Sequence, residues 1–114
     1  MNNNIYELGC DAVRLLKENK MTVSTAESCT GGLVSAYITA VPGSSSVFEL
    51  GITSYSCHVK RSILGVDGET LESLGAVSRE TAYQMAVNVR QKANSTIGVS
   101  VTGVAGPDGS EGHE

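Results

Sequence analysis

Aromatic residues are scarce in this sequence: four Tyr, one Phe and no Trp among 114 residues. Binding of single-stranded nucleic acid usually relies on bases stacked on aromatic side chains, so this class of function has little to work with. Positive charge is short as well. Eight Lys and Arg stand against twelve Asp and Glu, for a net charge of −4. Sequence-independent binding of nucleic acid needs a basic face that releases counterions, and no such excess exists. The three cysteines, Cys10, Cys29 and Cys57, form no Cys-x-x-Cys pair. They do not make a disulfide framework and fit a reducing compartment. The opening residues MNNNIYEL have neither the basic start nor the apolar centre of a secretory signal. No apolar run approaches the ~20 residues that span a bilayer. A soluble cytoplasmic protein is expected, with no membrane and no nucleic-acid partner. Charged residues are 18% of the chain, against a usual ~25%. That shortage is expected of a chain that hides surface in a larger sheet or in a homo-oligomer.

What is present suits a globular fold. Apolar residues make up 40% of the chain, with thirteen glycines besides, and the length fits one domain over residues 1–114. Ile5, Leu8, Ala12, Val13 and Leu16 recur at helical spacing and predict a helix over about 5–19. A β-like run follows at 22–26, then a helix at 33–39 that Pro42-Gly43 stops. Residues 47–56 read as strand, and 59–64 and 67–74 as short helices. Ser78 is a good N-cap. The helix after it carries Ala82, Met85, Ala86, Val89 and Ala93 on one face. Ile97, Val99 and Val101 alternate with small residues in the strongest strand, 96–102. Strands alternating with helices predict an α/β layered domain.

Two strand-end loops hold residues suited to binding. Glu27-Ser28-Cys29-Thr30-Gly31-Gly32 lies between a strand and a helix. Hydroxyls and glycine N–H groups before a helix suit an anion, and ligands of open α/β sheets sit beyond the strands' carboxyl ends. The same residues also serve as a plain cap and tight turn. The Walker A pattern is absent. The second loop, Thr102-Gly103-Val104-Ala105-Gly106-Pro107-Asp108-Gly109, follows the 96–102 strand. Its glycines permit close backbone approach or simply a turn. It is not the Gly-x-Gly-x-x-Gly pattern of dinucleotide folds.

Nucleophile chemistry is constrained by supply. A serine needs a base to take its proton, and the only histidines are His58 and His113. A Ser-His-Asp triad is therefore poorly supplied, and a lysine is the alternative base. Lys60 follows Tyr55 by five residues across a strand-to-helix turn, so both can face one cleft. Taken alone, Lys60 reads as an exposed surface lysine and Tyr55 as half-buried packing. Cys29 reads either as a thiolate or as a small buried hydrophobe, and the latter is commoner. No His, Cys, Asp and Glu stand at metal-ligand spacing, so no metal and no cofactor are expected.

Five segments occur in a telling order: Thr25-Ala26-Glu27-Ser28-Cys29-Thr30-Gly31-Gly32, Pro42-Gly43-Ser44-Ser45, Gly51-Ile52-Thr53-Ser54-Tyr55-Ser56, Gly75-Ala76-Val77-Ser78, and Thr102 to Gly109. Together they resemble the CinA C-terminal domain family, the nicotinamide-nucleotide amidohydrolases (NMN deamidases). The resemblance implies a three-layer α/β/α sandwich with a mixed sheet. It also implies a standalone domain whose last strands and helix lie beyond these residues. The implied reaction hydrolyses the carboxamide of nicotinamide mononucleotide to nicotinate mononucleotide and ammonia, in pyridine-nucleotide salvage, without metal. Carried over by motif, Ser45 is the nucleophile, Lys60 its base, and Tyr55 assists. Ser28, Thr30, Gly31, Gly32, Thr102, Gly103 and Gly106 hold the nucleotide. Backbone N–H groups or the Thr102 hydroxyl stabilise the oxyanion. Ser28 and Cys29 remain alternative nucleophiles. The rival reading is a catalytically silent nucleotide-binding or interaction module linked to competence or the DNA-damage response.

Overall fold

The computed structural model describes residues 3–103. Seven of its elements organise the site: helix α1 (Asn3–Glu18), strand β1 (Val23–Glu27), helix α2 (Leu33–Thr39), strand β2 (Phe48–Thr53), and helices α3 (Cys57–Ser62), α4 (Gly68–Leu74) and α5 (Arg79–Ala93). Strand β3 (Ile97–Val101) closes the series, and a single 3-10 turn at Ser44–Ser46 precedes β2. Each predicted element is present, with ends displaced by a few residues.

The three strands form one sheet in the order β2-β1-β3. Both pairings are parallel, with Thr25 beside Gly51 on one side and Val99 on the other. Parallel neighbours require crossovers, and helices supply them. Side chains alternate along each strand, so one strand serves two layers. Ala26 points into a core of Leu64, Val66, Met85 and Val89, with Leu50, Ile52 and Leu71 packed against it. Thr25 points the opposite way, where its hydroxyl meets that of Ser35 on α2 at 2.6 Å. A second core joins Val13 of α1 to Val41 and Val47, beside Cys10, Leu16 and Ile38. Helices α1 and α2 thus cover one face and α5 the other, the α/β/α layering that was expected. All five residues of β1 are buried, as a strand covered on both faces must be.

Helix α5 buries Thr81, Met85 and Val89, a narrower stripe than the apolar face read from sequence. Its N-terminus is capped as expected, the Ser78 hydroxyl accepting from the Thr81 N–H at 3.1 Å. The contact between α5 and β3 depends on Gly98. A Cβ at that position would collide with the Ala86 carbonyl oxygen and come within 2.8 Å of the Arg90 Cβ. Backbone cannot yield as a flexible side-chain tip does. Gly98→Ala is therefore expected to destabilise the domain by about 1–3 kcal/mol through overpacking, measured as a lowered urea midpoint at unchanged slope.

Candidate active site

The carboxyl ends of the three strands meet in one place. The Ser28 N–H donates to the Val101 carbonyl at 2.9 Å, and the Ser54 N–H donates to the Glu27 carbonyl at 2.8 Å. Helix α3 begins just beyond β2, with the Ser56 side chain as its N-cap. One turn later it sends Lys60 beneath the strand ends. Lys60 is 1% exposed, which corrects the expectation of a surface lysine. Its Nζ donates to the Ser54 carbonyl at 3.1 Å and lies 3.3 Å from the Ser28 Oγ. No carboxylate pairs with it among the described residues, where the ion pairs join Arg14 to Asp11 and Glu18. The Ser54 hydroxyl is buried and has no partner among the described residues.

The partner expected for Lys60 was Ser45. The structure does not bring these two together in one chain. Ser45 sits in the turn before β2, exposed, at the amino end of the sheet. Lys60 lies at the carboxyl end, and the strand between them is six residues long, roughly 17 Å at about 3.3 Å per step. The hydroxyl that meets the amine is that of Ser28. Motif order in the sequence could not separate these serines, because parallel register decides which loops share an end of the sheet.

The turn from β1 to α2 is built by Gly31 and Gly32, with φ of +62° and +105°. L-residues rarely adopt this left-handed region, so these glycines are needed for the turn itself. Helix α2 has no capping side chain of its own at Gly32. The cap comes from Glu27, at the end of the neighbouring strand. Its carboxylate accepts from the Val34 N–H at 2.9 Å, from the Ser35 N–H and hydroxyl at 2.9 Å each, and from the Thr30 hydroxyl at 2.6 Å. Burial raises the pKa of this carboxyl, but the hydrogen bonds from Thr30, Ser35 and Val34 outweigh it and hold it below its ordinary value. The Val34 and Ser35 N–H groups in the first turn of this helix are thus occupied by the chain's own carboxylate. The sequence reading missed this role for Glu27. A helix without an N-cap side chain, next to an acidic strand end, was the available signal.

The other expected residues divide. Thr102 is half-buried, and its hydroxyl donates to the Ala76 carbonyl at 2.8 Å. Its one proton is committed there, which removes it as an oxyanion donor. Gly103 faces Cys29 across the mouth of the site: a Cβ on it would lie 3.2 Å from the Cys29 Sγ. Cys29 is half-buried, not the fully buried hydrophobe of the commoner reading. Tyr55 is 70% exposed, which corrects its reading as half-buried packing. Gly106 lies outside the described residues. Among the described residues no three His, Cys, Asp or Glu cluster to hold a metal ion, and no helix is long and apolar enough to cross a membrane.

Residues 6–114 match the family described as the CinA C-terminal domain. The chain belongs to that family. A CinA-like protein of Chlorobium limicola is 50% identical over 99 residues, covering 87% of this chain and 23% of its own length. A relative from Acetivibrio thermocellus, whose name carries the words competence-damage inducible, is 56% identical over 103 residues, covering 90% of this chain and 25% of its own. Among solved structures, the competence/damage inducible protein CihA from Agrobacterium tumefaciens superposes with a TM-score of 0.92 at 43% identity, over 96% of this chain and 66% of its own. The chain thus spans about a quarter of the curated relatives it matches and about two thirds of that solved CinA-family chain.

Proposed function

We propose that this CinA domain contributes the catalytic site of an amidohydrolase acting on nicotinamide mononucleotide, releasing nicotinate mononucleotide and ammonia. The observation that carries this reading is the contact between the buried Lys60 amine and the Ser28 hydroxyl at the carboxyl end of a parallel sheet. Ligands of open α/β folds sit at that end. Amide hydrolysis needs a nucleophile, a group that moves its proton and a donor for the leaving amine. Ser28 and Lys60 supply these. The Ser28 Oγ forms a bond to the carboxamide carbon as its proton passes to the Lys60 amine. The C–N bond then breaks, and the same proton leaves with ammonia. Water hydrolyses the resulting ester with Lys60 again taking and returning the proton. The positive pyridinium ring makes the carboxamide electrophilic. Tyr55 and the strand-end residues Thr30, Gly31, Gly32, Thr102 and Gly103 border the nucleotide in this reading.

The test is ammonia release by the full-length protein from nicotinamide mononucleotide and from the riboside that lacks the phosphate. Release is expected from the nucleotide, with the riboside poorer in turnover as well as in affinity, because remote binding energy orients the reacting group. Tight binding of the nucleotide without ammonia release would instead establish a binding module.

A further inference from the structure

The geometry points to the backbone N–H of Cys29 as the oxyanion donor of this site. This inference rests on the amidohydrolase reading. Ser28 stands one residue past the end of β1, on the turn that leads into α2. Ser28 is 5% exposed and stands just past the central strand of the sheet, so a substrate carbonyl would meet it at the carboxyl end of that strand, with the N–H of the next residue beside the attacked carbon.

The hydrogen bonds of the turn narrow the choice. The Gly31 N–H donates to the Ser28 carbonyl, and the Leu33 N–H to the Thr30 carbonyl. The Val34 and Ser35 N–H groups are taken by Glu27. The Ser28 N–H itself is held by Val101. The N–H groups of Cys29, Thr30 and Gly32 are left without an acceptor among the described residues. Cys29 is the one of these bonded directly to Ser28, so its N–H stays within reach of whatever is attached to the Ser28 Oγ. Two of the hydroxyls nearby cannot substitute. Those of Thr30 and Thr102 already donate, to Glu27 and to the Ala76 carbonyl.

When the Ser28 Oγ bonds to the carboxamide carbon, the C=O electron pair moves to oxygen. The Cys29 N–H receives that negative charge and releases it when the carbonyl re-forms as the C–N bond breaks. A fixed donor at this point stabilises the transition state more than the substrate, which raises turnover with little change in substrate affinity.

Two full-length variants isolate the N–H. Cys29→Ala removes the thiol and keeps the donor, whereas Cys29→Pro removes the donor. Relative to Cys29→Ala, Cys29→Pro is expected to lose a further ~10²–10³-fold in kcat at similar KM, the loss typical of one oxyanion-hole donor. The pyridine-3-carbaldehyde analogue of the nucleotide, which adds the Ser28 Oγ reversibly, should weaken by the same factor. In ¹⁵N-labelled wild-type protein, its binding should move the Cys29 amide proton downfield, a readout that does not depend on the proline variant folding. Equal kcat in folded Cys29→Pro and Cys29→Ala, or an unmoved Cys29 amide in the aldehyde complex, overturns the assignment. Normal ammonia release alongside either result leaves the amidohydrolase reading intact and removes only this donor. A wild-type protein that releases no ammonia removes both.

Discussion

Lys60→Met is expected to lower turnover of nicotinamide mononucleotide by at least ~10²-fold in the full-length protein, the scale of proton-transfer catalysis. Methionine is unbranched, one heavy atom shorter and uncharged, and fills most of a site where only 1% of Lys60 is exposed, so loss of activity is separable from loss of fold. Ser28→Ala should cause a similar loss. The double variant should be little worse than either single one, because groups that act as a unit fail together. The Nζ–Oγ distance of 3.3 Å makes this pair such a unit. Ser45→Ala provides the contrast, since that hydroxyl lies at the opposite end of β2 and should leave turnover close to wild type. An inactive Ser45→Ala beside an active Ser28→Ala would place the nucleophile in the Pro42-Gly43 turn, reached from a second copy of the chain. Full turnover by a folded Lys60→Met protein would exclude lysine as the proton carrier.

Glu27→Gln should have the largest effect on stability. The glutamate is 1% exposed, and its two oxygens accept four hydrogen bonds. Glutamine presents an NH₂ group where one of those oxygens was. That group faces donors, either the Ser35 N–H and hydroxyl or the Val34 N–H and Thr30 hydroxyl. Hydroxyls can rotate to accept, but a backbone N–H cannot. One buried N–H therefore loses its acceptor, and the negative charge that caps α2 is lost with it. A cost of about 2–4 kcal/mol is expected, combining an unsatisfied buried group with lost charge-assisted bonds. Urea unfolding at neutral pH measures it. The pH dependence identifies the cause. The carboxyl's pKa is lower in the folded chain than unfolded, so its contribution is fully present above the ordinary glutamate range, about 4.3. It is lost as pH falls through that range toward the folded value. The gap between wild type and Glu27→Gln should therefore narrow in acid. A gap independent of pH would mean that shape, not charge, holds the turn.

Secondary structure was legible because its causes are local. Alternation at Ile97, Val99 and Val101 marked β3, Pro42-Gly43 marked the stop after α2, and Ser78 marked the start of α5. The order of strands and helices then implied the α/β class, and ordered motifs implied the family. These are properties of neighbours along the chain, and the sequence contains them directly. The partners of buried polar groups were another matter. Lys60 looked like a surface residue because lysine usually is one; only the placement of α3 under the strand ends buries it. Glu27 was only the first residue of a loop suited to binding, yet it caps a helix that begins six residues later. Ser28 and Ser45 were both plausible nucleophiles by motif, and the parallel register of β1 and β2 put one beside the lysine and the other at the far end of the sheet. Tertiary structure decided these pairings because each joins groups brought together by the fold of the sheet, at separations that no local spacing encodes.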